Sequence, residues 1–108
     1  MTKGNVRMED VVGVAWFKNE KDYYRALSIF TDPENMPTSF EEWKALVERQ
    51  CELIRYNGDV ILLADIHPEA FTAWCASRGV LANSQGRTAF VNHVVIEYKK
   101  TGKGTIIE

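Results

Sequence analysis

The sequence predicts an α+β domain, with α/β as its near variant, in the order β-α-α-β-α-α: about four helices on a small sheet. Three observations predict it. Two short runs rich in β-formers, residues 11–17 and 60–66, are each followed at once by helix-start chemistry, Asn19 after the first and His67-Pro68 after the second. Four further segments place apolar residues at helical spacing. The whole, 108 residues with 45% hydrophobic and 11% aromatic content, suits one modest core. The expected layout is a flexible arm over residues 1–10, one domain over 11–99 and a tail over 100–108.

The first run, VVGVAWF, reads as a strand buried on both faces, with Gly13 marking either a bulge or the close approach of another backbone. Asn19 sits where an N-cap belongs, and Glu20 and Asp22 place negative charge in the first turn of a helix over residues 20–31. Its buried stripe is Tyr23, Ala26, Leu27 and Phe30, and Asp32-Pro33 ends it because proline disfavours the helical conformation before it. Ser39 with Glu42 three residues on forms a capping box for the next helix. There Phe40, Trp43, Val47, Cys51 and Ile54 fall on one line, Leu46 and Leu53 widen it, and Asn57-Gly58 closes it.

Residues 60–66, VILLADI, show no clean alternation, so the strand reads as central and covered on both faces. Asp65 is its one anomaly. His67 takes the cap position and Pro68 the first helical position of a helix over residues 68–78, with Gly79 closing it in a Schellman ending. A last helix starts at Asn83 or Ser84 and runs to about Lys99, although Val94-Val95-Ile96 would also suit a strand. Thr105-Ile106-Ile107 is either a short edge strand or an unpaired tail.

Element order admits an internal duplication, strand-helix-helix twice, with a pseudo-two-fold axis relating the halves. Counting chain reversals gives the matching expectation that the two strands are antiparallel. A two-stranded ribbon is marginal in water, so a homodimer is expected, in which residues 11–17 pair with their two-fold mate into a four-stranded sheet.

Charge and composition exclude several partners. The net charge is −2, spread along the chain, and Lys99, Lys100 and Lys103 form the only basic cluster, so neither nucleic acid nor an acidic membrane is expected as a partner. No apolar run approaches the roughly 20 residues of a membrane span, and the N-terminus lacks a secretory apolar core. Cys51 and Cys75, two cysteines without CxxC spacing, suit a reducing compartment, and a cytoplasmic protein is expected.

The segments WF at 16–17, MPTSFEEW at 36–43 and HPEAFTAWCASRG at 67–79, followed by a helix containing Arg87 and Phe90, carry a resemblance. Over roughly residues 12–98 the chain resembles a group of small bacterial proteins of about 100 residues with no assigned function. The resemblance implies a fold and no site. His67 departs from the pattern, which has an acidic or small residue before the proline.

Three side chains are candidates for catalysis. Asp65 and His67 project to the same side of an extended segment, and a carboxylate can orient an imidazole for proton transfer. The structural alternative has backbone N–H groups satisfying Asp65 while His67 caps the helix. Cys75 beside Trp74 is a candidate nucleophile, but it shares the core-facing stripe with Phe71, where a free cysteine packs as a small hydrophobe. Cys51, Cys75, His67 and His93 include no pair at metal-ligand spacing, so no metal or cofactor is expected. Gly102-Lys103-Gly104-Thr105 lacks the strand and helix that a phosphate loop needs. The aromatic set of Trp16, Trp43, Trp74, Tyr23, Tyr24, Phe40 and Phe71 is mostly core, with a remainder left over to line a groove. The function expected is that of a small interaction or accessory module that self-associates or binds a protein partner. The alternative is a small enzyme or ligand-binding domain with its site at Asp65 and His67.

Overall fold

The computed structural model describes residues 10–107. Apart from Asp10, the expected arm lies outside the described residues. Strand β1 (Val11–Trp16) is followed by α1 (Glu20–Ile29), a single 3-10 turn (Pro33–Asn35), α2 (Phe40–Tyr56), β2 (Val60–Asp65), α3 (Pro68–Arg78), α4 (Ser84–Thr101) and β3 (Thr105–Ile107). Val94 to Ile96 is helical, inside α4. Residues 100–107 continue the domain: α4 reaches Thr101, and β3 pairs with β2.

The sheet corrects the expected strand direction. β1 and β2 are parallel, in register from Val11 opposite Val60 to Trp16 opposite Asp65. A parallel pair needs a long crossover, and α1 and α2 supply it. Of these two, only α2, seventeen residues and so about 25 Å long at 1.5 Å per residue, lies on the sheet; α1 packs on α3 and α2 instead. Counting α1 as a reversal therefore misassigned the direction. The parallel pairing also removes the pseudo-two-fold relation that the duplication required. β3 adds antiparallel to the other side of β2, with Ile61 opposite Ile107 and Leu63 opposite Thr105. The strand order is β1-β2-β3, so β2 is central, and the argument for dimerisation from a two-stranded sheet falls away.

Helices cover both faces. Side chains alternate along a strand, and the two sides of β1 meet different helices. Trp16 packs edge-on against Trp43 of α2, ring centroids 5.5 Å apart. A Cβ at Gly13 would lie 2.7 Å from both Val91 Cγ1 and Val95 Cγ2 of α4, so the glycine permits that helix to sit close. Of the two expected readings, the register passes through Gly13 without a bulge, and what crowds it is two side chains of α4, with the Val91 carbonyl oxygen farther off at 3.6 Å, rather than another backbone.

The core is a chain of aromatic contacts. Phe17 meets Trp43 at 5.1 Å and Phe30 at 6.3 Å, Phe30 meets Phe71 at 5.8 Å, and Phe71 meets Phe90 at 5.6 Å, mostly in edge-to-face geometry. The helix starts are built largely as their residues dictate. Asn19 Oδ1 accepts from the N–H of Asp22 at 2.8 Å, and Ser39 Oγ accepts from the N–H of Glu42 at 3.1 Å. The return half of that capping box differs: the Glu42 carboxylate accepts from the Ser39 and Thr38 hydroxyls. Tyr23 donates its hydroxyl to the Pro37 carbonyl at 2.5 Å, and burial pushes its pKa up to about 12.

One polar feature lies inside. Asp32, 8% exposed, accepts from both terminal nitrogens of Arg87 at 2.9 and 3.0 Å, from the Ser84 N–H at 2.9 Å and from Asn35 at 3.2 Å. The guanidinium rests on the Phe30 ring, 4.7 Å from its centroid. Together these tie the end of α1 to the first turn of α4. The bond from Arg87 is the main reason the Asp32 carboxyl is held below the usual carboxylate range.

Candidate functional site

β1 has a partner on one side only among the described residues. The N–H of Ile66 donates to the Trp16 carbonyl at 2.8 Å, so Trp16 faces β2. In a strand the two polar groups of one residue point the same way and alternate along the chain. Val12 and Val14 therefore also face β2, whereas Val11, Gly13 and Ala15 direct their N–H and C=O outward. This open edge runs along the floor of a groove of about 630 Å³, walled by α2 on one side and α4 on the other.

The groove is mainly apolar. Val14, Phe17, Trp43 and Val47 form its base, and Leu46 and Leu53, 44% and 64% exposed, stand on the α2 wall. The opposite wall carries Thr88, Val91 and Asn92, with Arg87 behind them fixed on Asp32. The side chains of Gln50, Thr88 and Asn92 make no hydrogen bond among the described residues, which leaves three uncommitted polar groups on an apolar lining. The arrangement can bind an extended chain, offering it main-chain donors and acceptors and a greasy pocket.

Sequence reasoning expected residues 11–17 to offer an edge to a second strand and some aromatic side chains to line a groove, but it did not place the groove on that edge or name its α2 and α4 walls. The signal that could have found it was the breadth of the α2 stripe: Leu46 and Leu53 flank the line of Trp43, Val47 and Cys51 that fills the core, and both remain exposed. Gly13 was the second signal, since a helix drawn tightly onto one face helps shape the cleft at the edge.

The site expected at the end of β2 has a different geometry from the one foreseen. Parallel strands bring Lys18 and Asn19, at the start of α1, to the same end of the sheet as His67 and Pro68, at the start of α3. His67 occupies the cap position, but its side chain makes no cap bond. Instead His67 Nε2 lies 3.3 Å from Asp65 Oδ2, while Asp65 Oδ1 is buried without a partner. The expected capping role of His67 and the expected backbone satisfaction of Asp65 are both corrected: the imidazole turns back along the strand rather than forward over the helix. Beside it, Arg25 Nε donates to Glu69 Oε2 at 2.6 Å, and this bond lowers the Glu69 pKa.

The remaining candidates lie apart. Cys75, 2% exposed, and Cys51, 4% exposed, are unpaired thiols in the core, and burial raises both pKa values. His93 packs against Trp74 at the α3–α4 junction. Among the described residues no group of three or more His, Cys, Asp or Glu converges as a metal site. No described helix is long and apolar enough to cross a membrane. No protein-family model, curated protein or solved structure matches the chain.

Proposed function

We propose that the chain is an interaction module that takes an extended polypeptide segment along β1, adding a fourth strand to the sheet. The observation that carries this reading is the outward-facing backbone row of β1, with Gly13 and Ala15 on the floor of an apolar groove and Val11 just beyond its end. Main-chain hydrogen bonds would supply affinity, and alternate side chains of the guest would meet the α2 and α4 walls in turn. Self-association is the case in which the guest is β1 of a second copy. Two unpaired buried thiols suit a reducing, cytoplasmic setting for such a module. The resemblance to small bacterial proteins of unassigned function belongs to the same reading and adds no site to it.

A peptide-display selection followed by amide mapping of the tightest binder tests the proposal. Perturbations should centre on the amides of Val11, Gly13 and Ala15, and Leu53→Glu should abolish binding without lowering the melting temperature. Binders that map elsewhere, or that ignore Leu53→Glu, would overturn it. Light scattering at micromolar concentration then assigns the guest: two chain masses identify a second copy, and one chain mass identifies a different polypeptide.

The Asp65–His67 contact favours a second reading, a small enzyme or ligand-binding domain. A carboxylate 3.3 Å from an imidazole can orient it as a base at the end of two parallel strands. A thermal-shift screen against metabolites would support it if one compound stabilises the protein by several degrees and His67→Ala removes that gain. An unchanged gain in the variant would reject it.

A further inference from the structure

Beside the groove, on the next line of α4, a shallower depression of about 360 Å³ opens toward α3, lined by Trp74, Arg78, Ala89, Asn92, His93 and Ile96. Its nitrogen-bearing side chains converge. The Arg78 guanidinium lies 5.1 Å from the centroid of the Trp74 ring, and its Nη2 is 3.4 Å from His93 Nδ1. The His93 ring is tilted against the indole at 5.5 Å between centroids. Arg25 and Arg87 each rest on a carboxylate, whereas Arg78 has none among the described residues. Among the described residues no acidic one lines the depression; Glu97, one turn beyond His93 on α4, lies outside it. The indole nitrogen of Trp74 is buried without a hydrogen-bond partner.

We propose that this depression binds a small organic oxyanion, a carboxylate or phosphate monoester bearing a short apolar group. The planar guanidinium offers a fork that matches two oxygens of such a head group, and its seat on an indole face holds it in place. With Nδ1 accepting from Arg78, the neutral imidazole carries its hydrogen on Nε2, a second donor. The uncommitted Asn92 carboxamide adds a third. Ala89 and the half-exposed Ile96 form the apolar wall against which the rest of the ligand lies. Charge complementarity selects the sign of the ligand, and the wall selects an organic anion over a bare one. This site is independent of the groove reading, since only Asn92 belongs to both cavities.

Titration of isotope-labelled protein with benzoate, inorganic phosphate and benzyl alcohol, at constant ionic strength, tests the inference through the indole N–H of Trp74 and the amides of Arg78, Asn92 and His93. Benzoate should give saturable shifts confined to these residues in the millimolar range, phosphate weaker ones and the neutral alcohol none. Arg78→Gln should weaken benzoate binding by about tenfold or more, and Arg78→Lys, which keeps the charge and loses the fork, by less. Shifts that fail to saturate, that persist unchanged in Arg78→Gln, or that benzyl alcohol reproduces would overturn the proposal. Phosphate binding more tightly than benzoate would overturn the role given to the apolar wall.

Discussion

The two edges of the sheet are built differently. β3 is three residues long, with Thr105 exposed and, among the described residues, a partner only in β2. A short strand of this kind offers little backbone to a stranger. β1 is six residues long, VVGVAW, and contains none of the charges or prolines that usually blunt an edge. It is flanked rather than covered, since α2 and α4 rise beside it without closing over it. The contrast teaches that an edge can be limited by its own shortness, as in β3, or by walls on either side, as in β1.

The walls depend on the Asp32–Arg87 pair, because Arg87 sits in the groove lining and is fixed from behind. Asp32→Asn should therefore give the largest effect, about 3–5 kcal/mol, because it leaves a largely buried guanidinium without its counter-charge. Its sign with pH follows from the lowered carboxyl pKa. The contribution is fully present above the ordinary aspartate value of about 3.9 and is lost as pH falls through the lower, folded-state value. Acid denaturation should accordingly lose this component in the Asn variant, and chemical denaturation at neutral pH measures the rest.

The strand shared by both edges comes next. Leu62 is fully buried in β2 beside Gly13, and Leu62→Ala should cost about 2–5 kcal/mol, read from the urea midpoint at constant slope. An unchanged midpoint would mean that β2 does not carry the two edges.

A pair of glycines sharpens the comparison directly. A Cβ at Gly13 would strike two β-branched side chains of α4, Val91 and Val95, at 2.7 Å, whereas one at Gly104, just before β3, would strike Leu62 Cδ1 at 2.7 Å and Tyr98 at 3.1 Å. Valines are stiff and lie on a long helix, while the short strand after Gly104 can shift. Gly13→Ala should cost about 1–3 kcal/mol through overpacking and Gly104→Ala less. Equal losses in thermal unfolding would show that the β3 edge is as rigid as β1.

The smallest effect is expected at His67. A true cap would be worth about 0.5–2 kcal/mol, but its side chain makes no cap bond, so His67→Ala should cost under about 0.5 kcal/mol. A larger loss by chemical denaturation would mean that the contact with Asp65 holds the end of β2 in place.

Local chemistry determined much of this protein from the sequence alone. Asn19, Ser39 and Gly79 fix where helices begin or end through bonds that reach only a few residues along the chain, Pro68 does so through its fixed φ and missing N–H, and all four act where they were expected. The apolar lines of α1 to α3 and the depth of VILLAD were legible for the same reason, since periodicity records which side of an element must avoid water. Tertiary structure alone decided the rest. Strand direction depended on whether α1 lies on the sheet or beside it, and its stripe fits either surface. Asp32 and Arg87 are separated by more than fifty residues, so no local rule pairs them. His67 had two possible partners, the helix ahead and Asp65 behind, and the path of the backbone chose between them. The groove belongs to no single segment: it exists because Gly13 draws α4 close, α2 lies across the other face, and among the described residues the edge of β1 is left open between them.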